Sequence, residues 1–227
     1  MSRNPLIVAA DVSDPAAAAS LAERLSGLVG FVKVGLELFT AGGPAAVEQV
    51  RARAPVFLDL KLHDIPTTVE RAARNVSRLE AGLLTVHALG GMEMVGAAVR
   101  GALDGSREAG VEPPAVIAVT VLSSLAAEGL ASSASLAFEA MSAGAAGAVV
   151  SGEDVETVRK ALGPEALLVV PGIRPGGQPA NDHARVLTPG EALERGADYI
   201  VVGRPITGSP DPSAAARGVL REIGIEA

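Results

Sequence analysis

Residues 57–70 read FLDLKLHDIPTTVE. Phe57 to Leu60 have the nearly continuous apolar character of a strand buried on both faces, and Ile65–Pro66 turn the chain away from it. A strand that runs through a short loop towards a helical pattern is one unit of a parallel α/β sheet. Yet from Asp59 onward the stretch carries Asp59, Lys61, His63 and Asp64 within six positions. Asp59 and Lys61 are two apart, so strand alternation points both to one face.

The same unit recurs along the chain. Short β-branched apolar runs lie at Leu6–Asp11, Phe31–Gly35, Val56–Leu60 and Leu83–Ala88. Four more follow at Ala115–Thr120, Ala146–Val150, Leu167–Pro171 and Tyr199–Gly203, the sixth being small and Gly-rich. Between them lie Ala/Glu/Arg-rich segments of helical spacing, at Asp14–Leu28, Thr68–Ala81, Gly91–Ala109 and Pro189–Arg195. Helix-start signals stand at Ser13–Pro15 and Thr188–Pro189. Eight strand–helix repeats in one chain, with no linker between them, predict a single (β/α)8 TIM barrel over residues 1–227.

In such a barrel the chemistry gathers at the C-terminal strand ends. The polar residues there are Asp11, Lys33, Asp59, Lys61, Asp64 and His87 from the first four strands. Thr120, Ser123, Ser151, Arg174, Gly203 and Arg204 come from the last four. Lysine is scarce: of 19 basic residues only Lys33, Lys61 and Lys160 are lysines. Lys160 has the setting of a helix-surface residue. Lys33 and Lys61 stand where an apolar strand ends, and a lysine there can hold a shifted pKa and deliver a proton.

Composition removes several function classes. Net charge is −7 and the aromatic residues are four Phe and one Tyr, which argues against a basic, stacking nucleic-acid groove. Cysteine is absent, so disulfides and thiolate metal sites are out. The N-terminal apolar run, Leu6–Ala10, ends at Asp11 and is too short for a signal-peptide core or a membrane span. A soluble cytoplasmic protein, without membrane partners, is the expectation.

DLKLHDIP (59–66), with VKVG (32–35) upstream and PGIRP (171–175) and VVGRPIT (201–207) downstream, resembles the orotidine 5′-phosphate decarboxylase family. The motifs follow in the family's order over nearly the whole chain, from Asp11 to Asp211–Pro212. The resemblance implies a homodimer of (β/α)8 barrels that decarboxylates orotidine 5′-monophosphate to UMP and CO2, with no metal or organic cofactor. Lys61 is then the cation that stabilises the developing C6 carbanion and donates its proton. Asp59 lies beside the substrate carboxylate and holds Lys61, and Lys33 completes the charge array and contacts the ribose. Asp64 and Thr68 reach into the partner's site across the interface. Asp11 serves the ribose hydroxyls, though by its position alone it equally reads as the N-cap of the next helix. Ser123 reads the pyrimidine edge. Arg174, Gly203 and Arg204 bind the phosphate.

Residues 175–182, PGGQPAND, have the content of a closing loop. His183 stands where the family usually has Gln, a departure that would make phosphate affinity pH-dependent. Gln178 in the same loop is the alternative for that role. His63 supports the loop, and His87 reads as a hydrogen-bonded core histidine.

Three alternatives compete. A sister group of Mg2+-dependent sugar-phosphate decarboxylases and aldolases shares Asp59, Lys61 and Asp64, but needs an acidic ligand on the second strand, where Lys33 stands. A non-catalytic nucleotide-binding barrel has no use for an aspartate beside an anionic substrate. The blandest reading is a solvated salt-bridge cluster, which belongs on helix faces rather than at buried strand ends.

Overall fold

All eight apolar runs form strands. The computed structural model describes residues 4–121, 132–176 and 187–226, so Ser123, Gln178 and His183 lie outside the described residues. The first half of the chain runs β1 (Leu6–Ala9), α1 (Pro15–Leu25), β2 (Phe31–Gly35), α2 (Leu36–Arg51, kinked at Gly43), β3 (Val56–Leu62), α3 (Pro66–Ser77), β4 (Leu83–His87) and α4 (Gly91–Ala109). The second half runs β5 (Ala115–Val119), α5 (Ser133–Ser142), β6 (Gly147–Val149), α6 (Val155–Leu162), β7 (Leu167–Val170), α7 (Pro189–Glu194) and β8 (Tyr199–Val202). Two helices close the chain, α8 (Arg204–Thr207) and α9 (Pro212–Glu222). The weak sixth run is the shortest strand.

The strands are parallel and in sequence order, and they close into a barrel because β1 pairs with β8, Leu6 against Ile200. Alternation divides the core in two. Ile7, Phe57, Leu83, Ile117, Val169 and Tyr199 fill the barrel interior. Their neighbours Leu6, Leu58, Leu84, Val116, Leu168 and Ile200 face the helices. Phe31 meets Tyr199 edge-on inside, with ring centroids 5.5 Å apart.

Local signals act where the sequence put them. Asp14 caps α1 by accepting from the Ala16 N–H, and Thr188 and Glu191 form a capping box at α7. Helices α3 and α4 touch backbone to backbone. A Cβ at Gly101 or Gly105 would lie inside the contact radius of the Glu70 and Arg74 carbonyls, so only glycine fits. Arg74 and Arg78 pair with Glu108 across the same contact. At the N-terminal ends of β7 and β8, Arg159 donates to the carbonyls of Gly163, Ala166 and Gly196 and to Asp198. Asp198 in turn accepts from the Leu168 N–H. Among the described residues no helix is long and apolar enough to cross a membrane.

Candidate active site

Four charged side chains from three adjacent strands meet at the C-terminal end of the barrel. Lys61 Nζ donates to Asp59 Oδ2 at 2.7 Å, and Lys33 Nζ stands 3.5 Å from the same oxygen. Lys33 also donates to Asp11 Oδ1 at 2.8 Å. The signs therefore alternate from Asp11 through Lys33 and Asp59 to Lys61. Lys33 and Asp59 are largely buried, with side chains 12% and 11% exposed, and Asp11 is the solvent end at 58%. Gly35 keeps this gap open, since a Cβ there would sit 3.0 Å from Lys33 Nζ. Asp14 takes the helix cap, so Asp11 is not the N-cap and is left to the ion pair with Lys33.

Strand β3 is not regular where it carries this chemistry. It pairs with β4 at Leu58↔Leu84 and next at Leu62↔Val86, so it is expanded by two residues in between. Lys61 stands at φ +50°, a left-handed conformation that costs a non-glycine residue roughly 1–2 kcal/mol. Thr85 of β4 fills the gap: its hydroxyl donates to Asp59 Oδ1 at 2.9 Å, and it accepts the Lys61 N–H at 2.9 Å. Sequence reasoning missed Thr85. The available signal was a lone hydroxyl inside the apolar run LLTVH, two positions before His87 and so on the same face.

Electrostatics follow from the geometry. Burial by itself would raise the Asp59 carboxyl. The ammonium groups of Lys33 and Lys61, with the hydrogen bonds from Lys61 and Thr85, outweigh it and hold the pKa below its ordinary value. His87 ends β4 with its ring 5.3 Å from that of His63. Burial first, then His63 and Lys61, lower its pKa from the ordinary histidine value. Its Nδ1 is buried without a hydrogen-bond partner among the described residues, so the expected satisfied core histidine is not what stands there.

A cavity of about 200 Å³ opens beside the array. Lys33, Asp59 and Lys61 form one wall, and Val119, Val149 and Val169 form the facing one. Ser151 also lines it, its hydroxyl donating to Asp154 Oδ2 at 2.9 Å; Ser133 donates to the same oxygen at 2.6 Å. Thr120 spends its hydroxyl on the Val149 carbonyl and is buried. Among the described residues no three or more His, Cys, Asp or Glu side chains are grouped to hold a metal ion.

The other expected residues among those described follow strands at the same end of the barrel. Arg174 follows β7, with its N–H on the Leu187 carbonyl, and Gly203 and Arg204 follow β8, the neighbouring strand. Asp64 is exposed, and its carboxylate accepts from the Ile65 N–H at 2.7 Å rather than joining the lysines. Thr68 is exposed in the first turn of α3.

Comparison with known proteins gives the family. The model of the orotidine 5′-phosphate decarboxylase / HUMPS family matches residues 4–219. The chain is 49% identical to orotidine 5′-phosphate decarboxylase of Paramagnetospirillum magneticum, covering 98% of this chain and 99% of that one. It is 53% identical to the enzyme of that name from Anaeromyxobacter sp. (strain K), over 94% of this chain and 96% of the relative. The crystal structure of orotidine 5′-phosphate decarboxylase from Lactobacillus acidophilus superposes with a TM-score of 0.84 at 35% identity, covering 97% of this chain and 99% of that one. A closed eight-strand barrel, an Asp–Lys array at its C-terminal mouth and full-length likeness to such relatives lead to one assignment: the chain belongs to the orotidine 5′-phosphate decarboxylase / HUMPS family.

Proposed function

We propose that this protein decarboxylates orotidine 5′-monophosphate to UMP and CO2, the last step of de novo UMP synthesis, as a cytoplasmic enzyme whose residues 1–227 form one catalytic domain. The observation that carries the reading is the convergence of two ammonium groups on one buried carboxylate at a cavity wall. Loss of CO2 from C6 of the pyrimidine leaves an electron pair that resonance barely delocalises. A fixed cation beside that carbon stabilises the charge as it develops, and a lysine can then give its proton to the same carbon. Lys61 takes this role. Asp59 holds the Lys61 ammonium and stands beside the substrate carboxylate, where like charge favours departure as neutral CO2. The facing valine wall suits that apolar product better than the anion it comes from.

Lys33 and Asp11 contact the ribose. Arg174, Gly203 and Arg204, on loops after adjacent strands, bind the phosphate, as the last loops of such barrels commonly do. Ser123 reads the pyrimidine, and His183 or Gln178 joins phosphate to base. The protein acts as a homodimer in which Asp64 and Thr68 complete the partner's site. In support, both are exposed, the Asp64 carboxylate accepts from the Ile65 N–H rather than from a lysine, and Ile65 beside it and Leu89 and Met92 after β4 are exposed as well. The chemistry asks for no metal: the position where a Mg2+ ligand would stand on β2 is Lys33, and its ammonium already occupies Asp11 and Asp59.

Loss of orotidine monophosphate ultraviolet absorbance, followed with EDTA present for wild type and Lys61→Ala, tests the proposal. Turnover that survives EDTA and falls by at least about 10³-fold in the variant is expected. A wild type that binds UMP without turnover would be a nucleotide-binding barrel instead.

A further inference from the structure

Between Leu58↔Leu84 and Leu62↔Val86, three residues of β3 stand opposite one residue of β4, Thr85. A ladder expanded in this way takes backbone acceptors away from N–H groups of the longer strand. Lys61 is such a case, and its N–H donates to Thr85 Oγ1 instead of to a β4 carbonyl. Having accepted there, the hydroxyl has one proton to give, and Asp59 Oδ1 takes it. Thr85 is fully buried, so no solvent competes for either bond. One hydroxyl thus ties the main chain of Lys61 to the carboxylate of Asp59. It holds Oδ1, which leaves Oδ2 turned to both ammonium groups.

We propose that Thr85 is a positioning residue for the decarboxylation, setting the backbone turn of Lys61 and the plane of the Asp59 carboxylate through this single hydroxyl. The inference rests on the decarboxylase reading above. A left-handed lysine persists only where its surroundings over-determine it, and the Thr85 bond is the contact that meets its N–H. Without the hydroxyl the Lys61 N–H is left unpaired in the sheet, and the turn relaxes. The ammonium then moves relative to the reacting carbon, and Asp59 is free to rotate off it. The residues assigned to the phosphate follow β7 and β8, on the other side of the barrel from β3 and β4.

The test compares Thr85→Val, which keeps the shape and removes the hydroxyl, with Thr85→Ser, which keeps the hydroxyl. Thermal unfolding is measured on each, and Thr85→Ala replaces the valine variant if that does not accumulate folded. For Thr85→Val we expect kcat for orotidine monophosphate to fall about 10²-fold with KM within about threefold of wild type. The acid limb of its kcat profile should move to higher pH, because one of the hydrogen bonds that keep Asp59 ionised is gone. Thr85→Ser should restore both. A valine variant with wild-type kcat overturns the proposal. So does a loss that serine does not restore, or one with the acid limb unmoved, since either makes Thr85 merely structural. Absence of turnover in the wild type sinks the decarboxylase reading itself.

Discussion

Lys61 Nζ reaches Asp59 Oδ2 at 2.7 Å even though the main chain between them leaves strand geometry, with Lys61 at φ +50°. The pair is therefore built against a local conformational cost, a pattern characteristic of sites where geometry serves chemistry. Asp59 is the hinge of the array, because both ammonium groups depend on one of its oxygens.

Asp59→Asn should be damaging in two ways. It leaves two largely buried ammonium groups without their shared anion, which costs about 3 kcal/mol of stability, read by urea unfolding. It should also lower turnover of orotidine monophosphate by about 10²–10³-fold. The sign of the pH dependence follows from the lowered pKa of Asp59. A carboxyl depressed in the folded state stabilises fully above its unfolded value of 3.8 and loses that contribution as pH falls through the lowered one. The stability gap between wild type and Asp59→Asn is thus expected to be level from about pH 8 to 5 and to close below 3.8. A gap that narrows near neutrality would assign the effect to another group.

If Asp64 works in the partner's barrel, two inactive variants should repair each other. Lys61→Ala and Asp64→Asn, each inert alone, form one intact site per mixed dimer. Co-expression should recover roughly a quarter of the wild-type sites, as two-fold symmetry requires. No recovery, from dimers shown to be mixed by mass, would return Asp64 to its own barrel.

The contact of α3 with α4 offers a sharper test of packing. Gly105→Ala drives a methyl into the Arg74 carbonyl and should destabilise by about 1–3 kcal/mol, by urea unfolding. Gly218 lies inside α9, and a methyl added there would meet nothing within 4 Å, so Gly218→Ala should stabilise by about 0.5–1 kcal/mol. Equal effects from the two would deny the close approach.

How much of this was legible beforehand divides by physical cause. The eight strands were readable because burial on both faces writes continuous apolar runs, down to the short Gly147–Val149 strand. Asp59, Lys61 and Lys33 were readable as a cluster because charge at the end of such a run has few bland explanations, whereas Asp11 read equally as an N-cap until Asp14 was seen in that place. The expansion of β3 was invisible: two extra residues preserve the period of two, so the alternation that pointed Asp59 and Lys61 to one face carries no trace of it. Thr85 was hidden for the same reason, since its role exists only where the register jumps. The lowered pKa of His87 depends on burial first and then on His63 and Lys61, surroundings that only the folded chain supplies.

The seam between β1 and β8 sets a schedule for the protein's birth. Leu6 pairs with Ile200, so during synthesis β1 waits, one edge unpaired, until β8 has followed it. Asp11, just after that first strand, and Arg204, just after the last, end neighbouring strands only once the ring has shut. A nascent chain stalled short of β8 therefore carries the whole charge array and no enclosed barrel to work in.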